Sequence, residues 1–331
     1  MIVVGFDGDG AGDASVKAIA AELKAGRLGG VMYLKKNVAS LAAVAEMNAA
    51  FRAASPDLPP FITLDQEGGA VERLTEAVGF KEIPNAAAIA AANTPEKAEA
   101  IYAEMAEAIV AEGFTVNFGP VADLNINPNN PVIAKFGRAF SADPETVIAY
   151  DRAFIEAHHE AGLATALKHF PGHGSSTADS HEGFVDISKT WSKDELEPYS
   201  ELIAEGVVDM VMVGHLFHSC CVTGDVQTPA SLSPHWIDGV LRQELKFDGV
   251  VISDDLEMGA ILDHYTLEET VVEAVKAGMD ILLFSNTAYQ RPGLSKEVLA
   301  ILLKEAEADP AFAARIEQSY NRIVALKERL E

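Results

Sequence analysis

The sequence predicts an α/β fold, a single-domain (β/α)8 barrel of the TIM type. Eight short apolar segments alternate with helical stretches along the 331 residues, and strands that alternate with helices form a parallel sheet. Hydrophobic residues make up 49% of the chain and charged residues 23%, a composition that supports a large core. Eight such units close into a barrel more readily than they form an open sheet. A doubly wound sheet is the alternative, but the chain has neither G-x-G-x-x-G after its first strand nor G-x-x-x-x-G-K-[ST].

Most of the predicted strands follow a glycine that ends a helical stretch. Glycine adopts positive φ at the end of a helix without strain, and an apolar run without strict alternation is typical of a strand buried on both faces. The strands of this kind are residues 31–34, 114–118, 163–167, 207–213, 250–253 and 279–284. Two further strands, 2–6 and 61–64, lack the preceding glycine.

Capping residues mark the starts of several predicted helices. An N-cap residue followed by proline begins a helix because proline fits its first position, and Ser or Thr three residues before Glu is the pattern of a capping box. The sites of these two kinds are Thr94-Pro95, Asp143-Pro144, Ser192-x-x-Glu195 and Thr266-x-x-Glu269.

Polar and ionisable side chains collect where the predicted strands end. In a (β/α)8 barrel these ends meet on one face, which is where catalytic groups lie. The side chains concerned are Asp65, Asn117, Asp123, Lys168, His169, His215, Asp254 and Asp255. The longest stretch without helical periodicity also follows the fifth strand, and loops this long are usually functional. We therefore interpret residues 1–331 as one catalytic barrel with a catalytic loop at about 170–183 and C-terminal helices at about 295–331.

Charge and hydropathy exclude several classes of partner. The chain has 25 Lys and Arg against 50 Asp and Glu, a formal net charge of −25, and nowhere concentrates the basic residues that nucleic acid or anionic membranes require. No apolar run approaches the roughly 18 residues that cross a bilayer. We expect a monomer that binds neither nucleic acid nor membrane.

The cysteines and the N-terminal residues indicate the cellular compartment. The only cysteines, Cys220 and Cys221, are adjacent, and adjacent cysteines rarely bridge, so we expect no disulfide framework. The segment from Met1 to Asp7 lacks a basic n-region and meets an acid before a signal-peptide core could form. These features predict a cytoplasmic protein.

Two groups of residues are compatible with more than one chemistry. His169, His173, Asp179 and His181 could ligate zinc, although Pro171-Gly172 prevents a helical H-E-x-x-H arrangement; alternatively, a histidine oriented by Asp179 works as a general acid/base, or the loop is simply solvated. Cys220 or Cys221 could be a nucleophile beside His215 or His218, but no acyl-transfer motif surrounds them.

Adjacent carboxylates end the strand 250–253. Successive side chains of a strand point to opposite faces, so we expect one of Asp254 and Asp255 to face the barrel mouth and the other to point away. A carboxylate at the centre of the mouth needs a charged or reacting partner, because an unpaired buried charge costs several kcal/mol.

Five motifs lie at or near the predicted strand ends. The most specific is Lys168-His-Phe-Pro-Gly-His-Gly-(x4)-Asp179-Ser-His181. The others are Asp65-Gln-Glu-Gly-Gly69, Asn117-Phe-Gly-Pro-Val-Ala-Asp123, Gly137-Arg-Ala-Phe140 and Ser253-Asp-Asp-Leu-Glu-Met258. Together they resemble the β-N-acetylhexosaminidases of glycoside hydrolase family 3, specifically the single-domain β-N-acetylglucosaminidases of peptidoglycan recycling.

The resemblance implies the role of each candidate site residue. Asp254 would be the nucleophile, and His181 paired with Asp179 would be the acid/base in a retaining double displacement. The residues implied to bind the sugar are Asp65, Arg73, Arg138, Lys168 and His169. A carboxylate can accept two sugar hydroxyls, and Arg and Lys supply donors, which agrees with these roles.

The predicted activity is removal of terminal GlcNAc from small carbohydrate substrates such as GlcNAc-anhydro-N-acetylmuramic acid muropeptides, with no metal and no cofactor. Two alternatives remain open. A phosphorylase would use phosphate in place of water, because a histidine acid/base repels phosphate less than a carboxylate does. A catalytically silent sugar-binding protein could also occupy the same barrel.

Overall fold

Eight parallel strands form the centre of the computed structural model, which describes residues 1–221, 227–287 and 291–330. The strands, in chain order, are β1 (Ile2–Gly5), β2 (Gly30–Met32), β3 (Phe61–Leu64), β4 (Val116–Asn117), β5 (Ala164–Phe170), β7 (Met210–Val213), β9 (Val250–Ser253) and β10 (Leu282–Phe284). Each pairs in parallel with its neighbour, β10 pairs with β1, and a parallel bridge from Ile252 to Ile281 joins β9 to β10. The sheet is therefore a nearly closed barrel, and the predicted (β/α)8 fold is confirmed.

Helices surround the barrel. They are α1 (Ala14–Lys24), α2 (Leu41–Ala54), α3 (Ala86–Ala92), α4 (Pro95–Ala111), α5 (Pro144–Glu160), α6 (Glu197–Glu205), α7 (Gly259–Leu262), α8 (Leu267–Ala277), α9 (Leu294–Ala308) and α10 (Pro310–Glu328). A π-helix, His235–Glu244, precedes β9, and a two-stranded ribbon, β6 (Val185–Asp186) with β8 (Leu216–Phe217), lies outside the barrel. Neither the π-helix nor the ribbon was predicted from the sequence. No helix within the described ranges is long and apolar enough to cross a membrane.

Three of the four predicted helix starts are confirmed. Thr94 precedes the Pro95 that begins α4, Asp143 accepts a hydrogen bond from the amide of Thr146, and Thr266 forms a reciprocal capping box at the start of α8. The fourth, Ser192-x-x-Glu195, is wrong as a capping box. Ser192 accepts from the amide of Asp194 instead, and the buried Glu195 carboxylate accepts from the loop amide of Gly174.

Two apolar layers position the functional face. Inside the barrel, strand side chains such as Met32, Phe61 and Met210 pack together and meet Ile323 and Leu326 of α10, which closes the N-terminal end. A larger layer fills the space between the strands and the surrounding helices. The barrel floor is thus solid, and the carboxyl ends of the strands form the open end.

Asp280 is the polar centre of the closed end. One carboxylate oxygen accepts from Arg242 (2.7 Å) and from the amide of Val251 (2.8 Å), and the other accepts from Ser319 (2.7 Å) and Arg322 (3.3 Å). Arg242 belongs to the π-helix, while Ser319 and Arg322 belong to α10, so one buried carboxylate joins three parts of the chain.

Asp280→Ala should therefore lower the free energy of unfolding by about 3–5 kcal/mol, because it leaves two guanidinium groups without their buried partner. Urea unfolding followed by circular dichroism measures this. Asp248→Ala is the matched control, since the Asp248 side chain also pairs with Arg322 but is 94% exposed; exposed pairs contribute little. Equal urea midpoints for the two variants would contradict the assignment.

Candidate active site

A cavity of about 470 Å³ opens at the carboxyl ends of the strands. All eight predicted site residues line it, although they come from five separate parts of the sequence. They are Asp65, Arg73, Arg138, Lys168, His169, Asp179, His181 and Asp254. The barrel brings them together because the ends of parallel strands meet on one face.

Asp65, which follows β3, is held between two cations. Its Oδ1 accepts from the ammonium of Lys168 and its Oδ2 from the guanidinium of Arg73, both at 2.8 Å. Burial alone would raise the pKa of Asp65, but Lys168 and Arg73 outweigh burial and hold that pKa below its ordinary value. Asp65 is therefore ionised and fixed at the cavity wall.

Glu67, two residues after Asp65, pairs with Arg138 and shares Lys168 with Asp65. Arg138 donates to it through Nε and Nη2, both at 2.8 Å, in a bidentate pair, and the Lys168 ammonium lies 2.7 Å from its Oε1. Burial opposes the charged form, yet the two cations hold the pKa of Glu67 far below its ordinary range. Lys168 consequently bridges Asp65 and Glu67 while being almost completely buried.

Lys168 and His169 are adjacent in β5, yet both reach the cavity. A regular strand would send successive side chains to opposite faces, but the pairing of β5 with β7 shifts between Leu167 and Phe170. Both residues were predicted to follow the strand, but β5 extends through them to Phe170. The irregularity allows two neighbouring side chains to serve one site.

The imidazole of His169 has a defined tautomer. Arg138 Nη2 lies 3.2 Å from its Nε2, and a guanidinium can only donate, so Nε2 must accept. The proton is therefore on Nδ1, which donates to Asp123 at 2.6 Å. Asp123 also accepts from the amide of His173 at 2.6 Å, and so links the cavity wall to the long loop.

Asp254 follows β9 at the middle of the open face. Its amide donates to Val213 of β7 at 3.0 Å, and its Oδ1 accepts from the amide of Asp255 at 2.8 Å. Burial opposes its charge, but His169 and His215 outweigh burial and lower the pKa of Asp254 to about 2. Asp254 is thus an anion at neutral pH.

Asp255 also lines the cavity but is engaged differently. Both carboxylates follow β9, which ends at Ser253. The Asp255 carboxylate accepts from the amides of Ser285 (2.8 Å) and Glu257 (3.0 Å). Both bonds are made to Oδ1 of Asp255 and hold the turn, whereas the Asp254 carboxylate accepts a single amide, that of Asp255.

The loop carries a histidine–aspartate pair to the rim. Asp179 Oδ1 accepts from Nδ1 of His181 at 2.6 Å and from the His181 amide at 3.0 Å. Those bonds outweigh burial and hold the pKa of Asp179 below its ordinary value. The amides of Gly259 and Ala260 donate to the carbonyls of His181 and Ser180, and a Cβ on Gly259 would lie 3.0 Å from the His181 carbonyl oxygen. The loop therefore packs directly over the segment that follows Asp254.

Comparisons with known proteins decide the family. Residues 2–326 match the glycosyl hydrolase family 3 N terminal domain. The chain belongs to glycoside hydrolase family 3. This finding and the barrel agree with the resemblance that the motifs predicted.

Named relatives within family 3 point the same way. A beta-hexosaminidase of Xylella fastidiosa is 37% identical over 275 residues, which cover 80% of this chain and 78% of that protein. Beta-hexosaminidase A of Pseudoalteromonas piscicida is 31% identical over 324 residues, 92% of this chain but 54% of its own length.

Solved structures of the family superpose closely on the barrel. A family 3 beta-N-acetylglucosaminidase from Paenibacillus is 34% identical with a TM-score of 0.89, covering 99% of this chain and 61% of its own. A beta-N-acetylhexosaminidase from Beutenbergia cavernae is 28% identical with a TM-score of 0.86, covering 99% and 96%.

Three residues of this family 3 site were not among the predicted site residues. Glu67 and Asp123 hold the cations and the histidine described above, and the ring of His215 donates through Nε2 to the Asp255 carbonyl at 2.8 Å. All three stood in or beside the strand ends that the sequence marked, so position could have found them. The sequence alone does not show that these residues position others, because their hydrogen-bond partners are distant in sequence.

His173, a second histidine of the loop, is buried rather than available. Its Nδ1 lies 2.7 Å from Ser176 Oγ and its Nε2 lies 3.3 Å from Ser180 Oγ. Burial lowers the pKa of His173 to about 4. A buried neutral imidazole with both nitrogens engaged is unsuited to proton transfer at the rim.

The zinc and thiol alternatives receive no support. Within residues 1–221, 227–287 and 291–330, no group of three or more His, Cys, Asp or Glu side chains is arranged to hold a metal ion. Cys220 is disulfide-bonded, so the expectation of no disulfide is wrong at this position and its sulfur is not a free thiol. The Cys221 side chain lies outside the described residues.

Proposed function

We propose that this chain is a retaining exo-β-N-acetylglucosaminidase. The observation that carries the proposal is one cavity in which an ionised carboxylate, Asp254, lies opposite a loop that presents the Asp179–His181 pair. A retaining glycosidase needs a carboxylate below the anomeric carbon and a proton donor beside the leaving oxygen. The names of the family 3 relatives support GlcNAc as the sugar.

In the first step, an Asp254 oxygen forms a bond to the anomeric carbon as the bond from that carbon to the leaving oxygen breaks. His181 gives its Nε2 proton to the leaving oxygen, because its Nδ1 is engaged by Asp179. In the second step, neutral His181 removes a proton from water, the water oxygen bonds to the anomeric carbon, and Asp254 leaves. The lowered pKa of Asp254, about 2, keeps the nucleophile ionised throughout the neutral range. Neither step draws on a metal or a cofactor.

The other predicted residues would bind the terminal sugar. Asp65 can exchange part of its contact with Lys168 and Arg73 for two sugar hydroxyls, and these cations can donate to the same hydroxyls. Arg138 and His169 extend this polar wall. Such donors and acceptors are prealigned, since each is held by a buried ion pair, and little ordering is required on binding.

The substrate class that we propose is the muropeptide GlcNAc-anhydro-N-acetylmuramic acid and related peptidoglycan fragments. This assignment rests on the motif resemblance. We also propose that residues 1–331 form one catalytic domain, that the protein is a monomer and that it is cytoplasmic.

The proposal is tested with aryl β-glycosides of GlcNAc, GalNAc and glucose that share one phenol, each with and without phosphate. We expect the GlcNAc glycoside to be cleaved fastest and water to be the acceptor. Proton NMR of early turnover should show the β-anomer first, because two inversions at one carbon retain configuration. Initial α-anomer would exclude double displacement, glycosyl phosphate would indicate the phosphorylase, and no turnover would favour a sugar-binding protein.

Asp254→Asn should abolish turnover of every GlcNAc glycoside while GlcNAc binding and the melting temperature change little, since only the nucleophilic charge is removed. Calorimetric titration with GlcNAc and an aryl-glycoside assay measure the two effects. Asp255→Asn is the comparison variant, because the Asp255 carboxylate accepts hydrogen bonds from backbone amides and is not the proposed nucleophile. Near wild-type turnover by Asp254→Asn would show that another residue is the nucleophile.

His181→Ala should impair a GlcNAc disaccharide far more than dinitrophenyl β-GlcNAc. General acid catalysis supplies roughly 10²- to 10⁴-fold, and a dinitrophenolate leaves without a proton. Asp179→Ala should act in the same direction but more mildly, because it orients the imidazole without transferring the proton. The measurement is kcat/KM across leaving groups of different pKa. If the loss is independent of that pKa, His181 is not the acid.

A further inference from the structure

A buried carboxylate that takes no part in the steps above lies under the long loop. Glu195 is fully buried, and its Oε2 accepts from the amides of Gly174 (3.1 Å) and Ser175 (3.3 Å). Its Oε1 is buried with no hydrogen-bond partner in the described part of the chain. The carboxylate therefore holds two consecutive amides of the loop through a single oxygen.

The loop backbone is shaped to approach this carboxylate closely. Gly172 has φ +123°, and a Cβ there would lie 2.6 Å from Cβ of Glu195. A Cβ on Gly174 would lie 1.7 Å from the carbonyl oxygen of Leu124. The turn therefore lies in close contact with Glu195 at Gly172 and with the Leu124 backbone at Gly174.

Side-chain contacts carry this turn forward to the reactive pair. The ring of His173 contacts Ser176 on one nitrogen and Ser180 on the other, and the Ser176 hydroxyl donates to the carbonyl of Ala178 at 3.3 Å. Ala178 and Ser180 flank Asp179, and His181 follows directly. A displacement of the turn at Gly174 and Ser175 is therefore passed to Asp179 and His181.

We propose that Glu195 is a positioning residue for the acid/base: by accepting the amides of Gly174 and Ser175, its carboxyl group fixes the turn from which the Asp179–His181 pair is presented. The inference rests on the proposed function, since it assigns a support to that function's proton donor.

Burial strengthens the case that Glu195 is retained for function rather than for stability. Burial raises the pKa of Glu195 to about 7, with Asp123 acting in the same direction, so ionised Glu195 is unfavourable in the folded chain. A carboxylic acid whose pKa is higher in the folded than in the unfolded state stabilises the fold at pH values below its unfolded-state pKa. This stabilisation is lost as the pH rises through its folded-state pKa. At pH 8, Glu195→Gln should accordingly melt no lower than the wild type.

The test compares Glu195→Ala and Glu195→Gln on a GlcNAc disaccharide and on dinitrophenyl β-GlcNAc. Glu195→Ala should lower kcat/KM for the disaccharide at least about tenfold more than for the dinitrophenyl glycoside, because part of the general-acid contribution is lost. Glu195→Gln should restore the wild-type ratio, because an amide oxygen can accept the same two amides. Glu22→Ala is the matched control: Glu22 is buried and paired with Arg27 and Ser295, but it lies on α1 away from the loop.

The outcomes distinguish the positioning role from the proposed function. A wild-type protein that cleaves no β-GlcNAc overturns the proposed function and the support together. A cleaving wild type in which Glu195→Ala leaves the ratio unchanged, or changes it no more than Glu22→Ala does, overturns the positioning role alone. If Glu195→Ala does not fold, a folded Glu195→Gln whose ratio differs from the wild type overturns that role instead.

Discussion

The buried ammonium of Lys168 is the contact on which the cavity depends. It lies between the carboxylates of Asp65 and Glu67, 2.8 Å from one and 2.7 Å from the other, and so joins β5 to the segment after β3. An ion pair buried this deeply is costly unless each charge is well matched, and here the second oxygen of each carboxylate is bound to an arginine. Removing any member leaves a buried charge uncompensated, so the wall behaves as one unit.

From this unit, a continuous series of contacts reaches the loop. Arg138, paired with Glu67, sets the tautomer of His169, and His169 donates to Asp123. Asp123 in turn holds the amide of His173 at the beginning of the loop. The wall proposed to bind sugar and the turn that presents the proposed acid/base are therefore mechanically connected, although their residues are far apart in sequence.

The sequence predicted the barrel and the location of the site well, because both follow from local signals. Apolar runs marked each strand, and the polar residue after each run marked the open face. Tertiary effects account for the errors. The predicted strand 163–167 ended too early, because β5 continues through Lys168 and His169 with a shifted register, and the predicted capping box at Glu195 is replaced by contacts with two amides of the loop. Neither could be read from spacing, since both depend on a neighbouring strand or a distant turn.

The two proposed reacting groups differ in setting, and the difference suits their roles. Asp254 is half-buried among imidazoles and must stay ionised, which a low pKa ensures. The His181 side chain is 64% exposed at the rim, where it can meet both a leaving group and incoming water. A carboxylic acid in that exposed position would be ionised at neutral pH and unable to protonate a leaving group, so a glycosidase with a carboxylate there must bury it to raise its pKa. The chain instead places an imidazole on the open loop, with its Nδ1 held by Asp179. The requirement that remains is orientation, and the buried supports beneath the loop supply it.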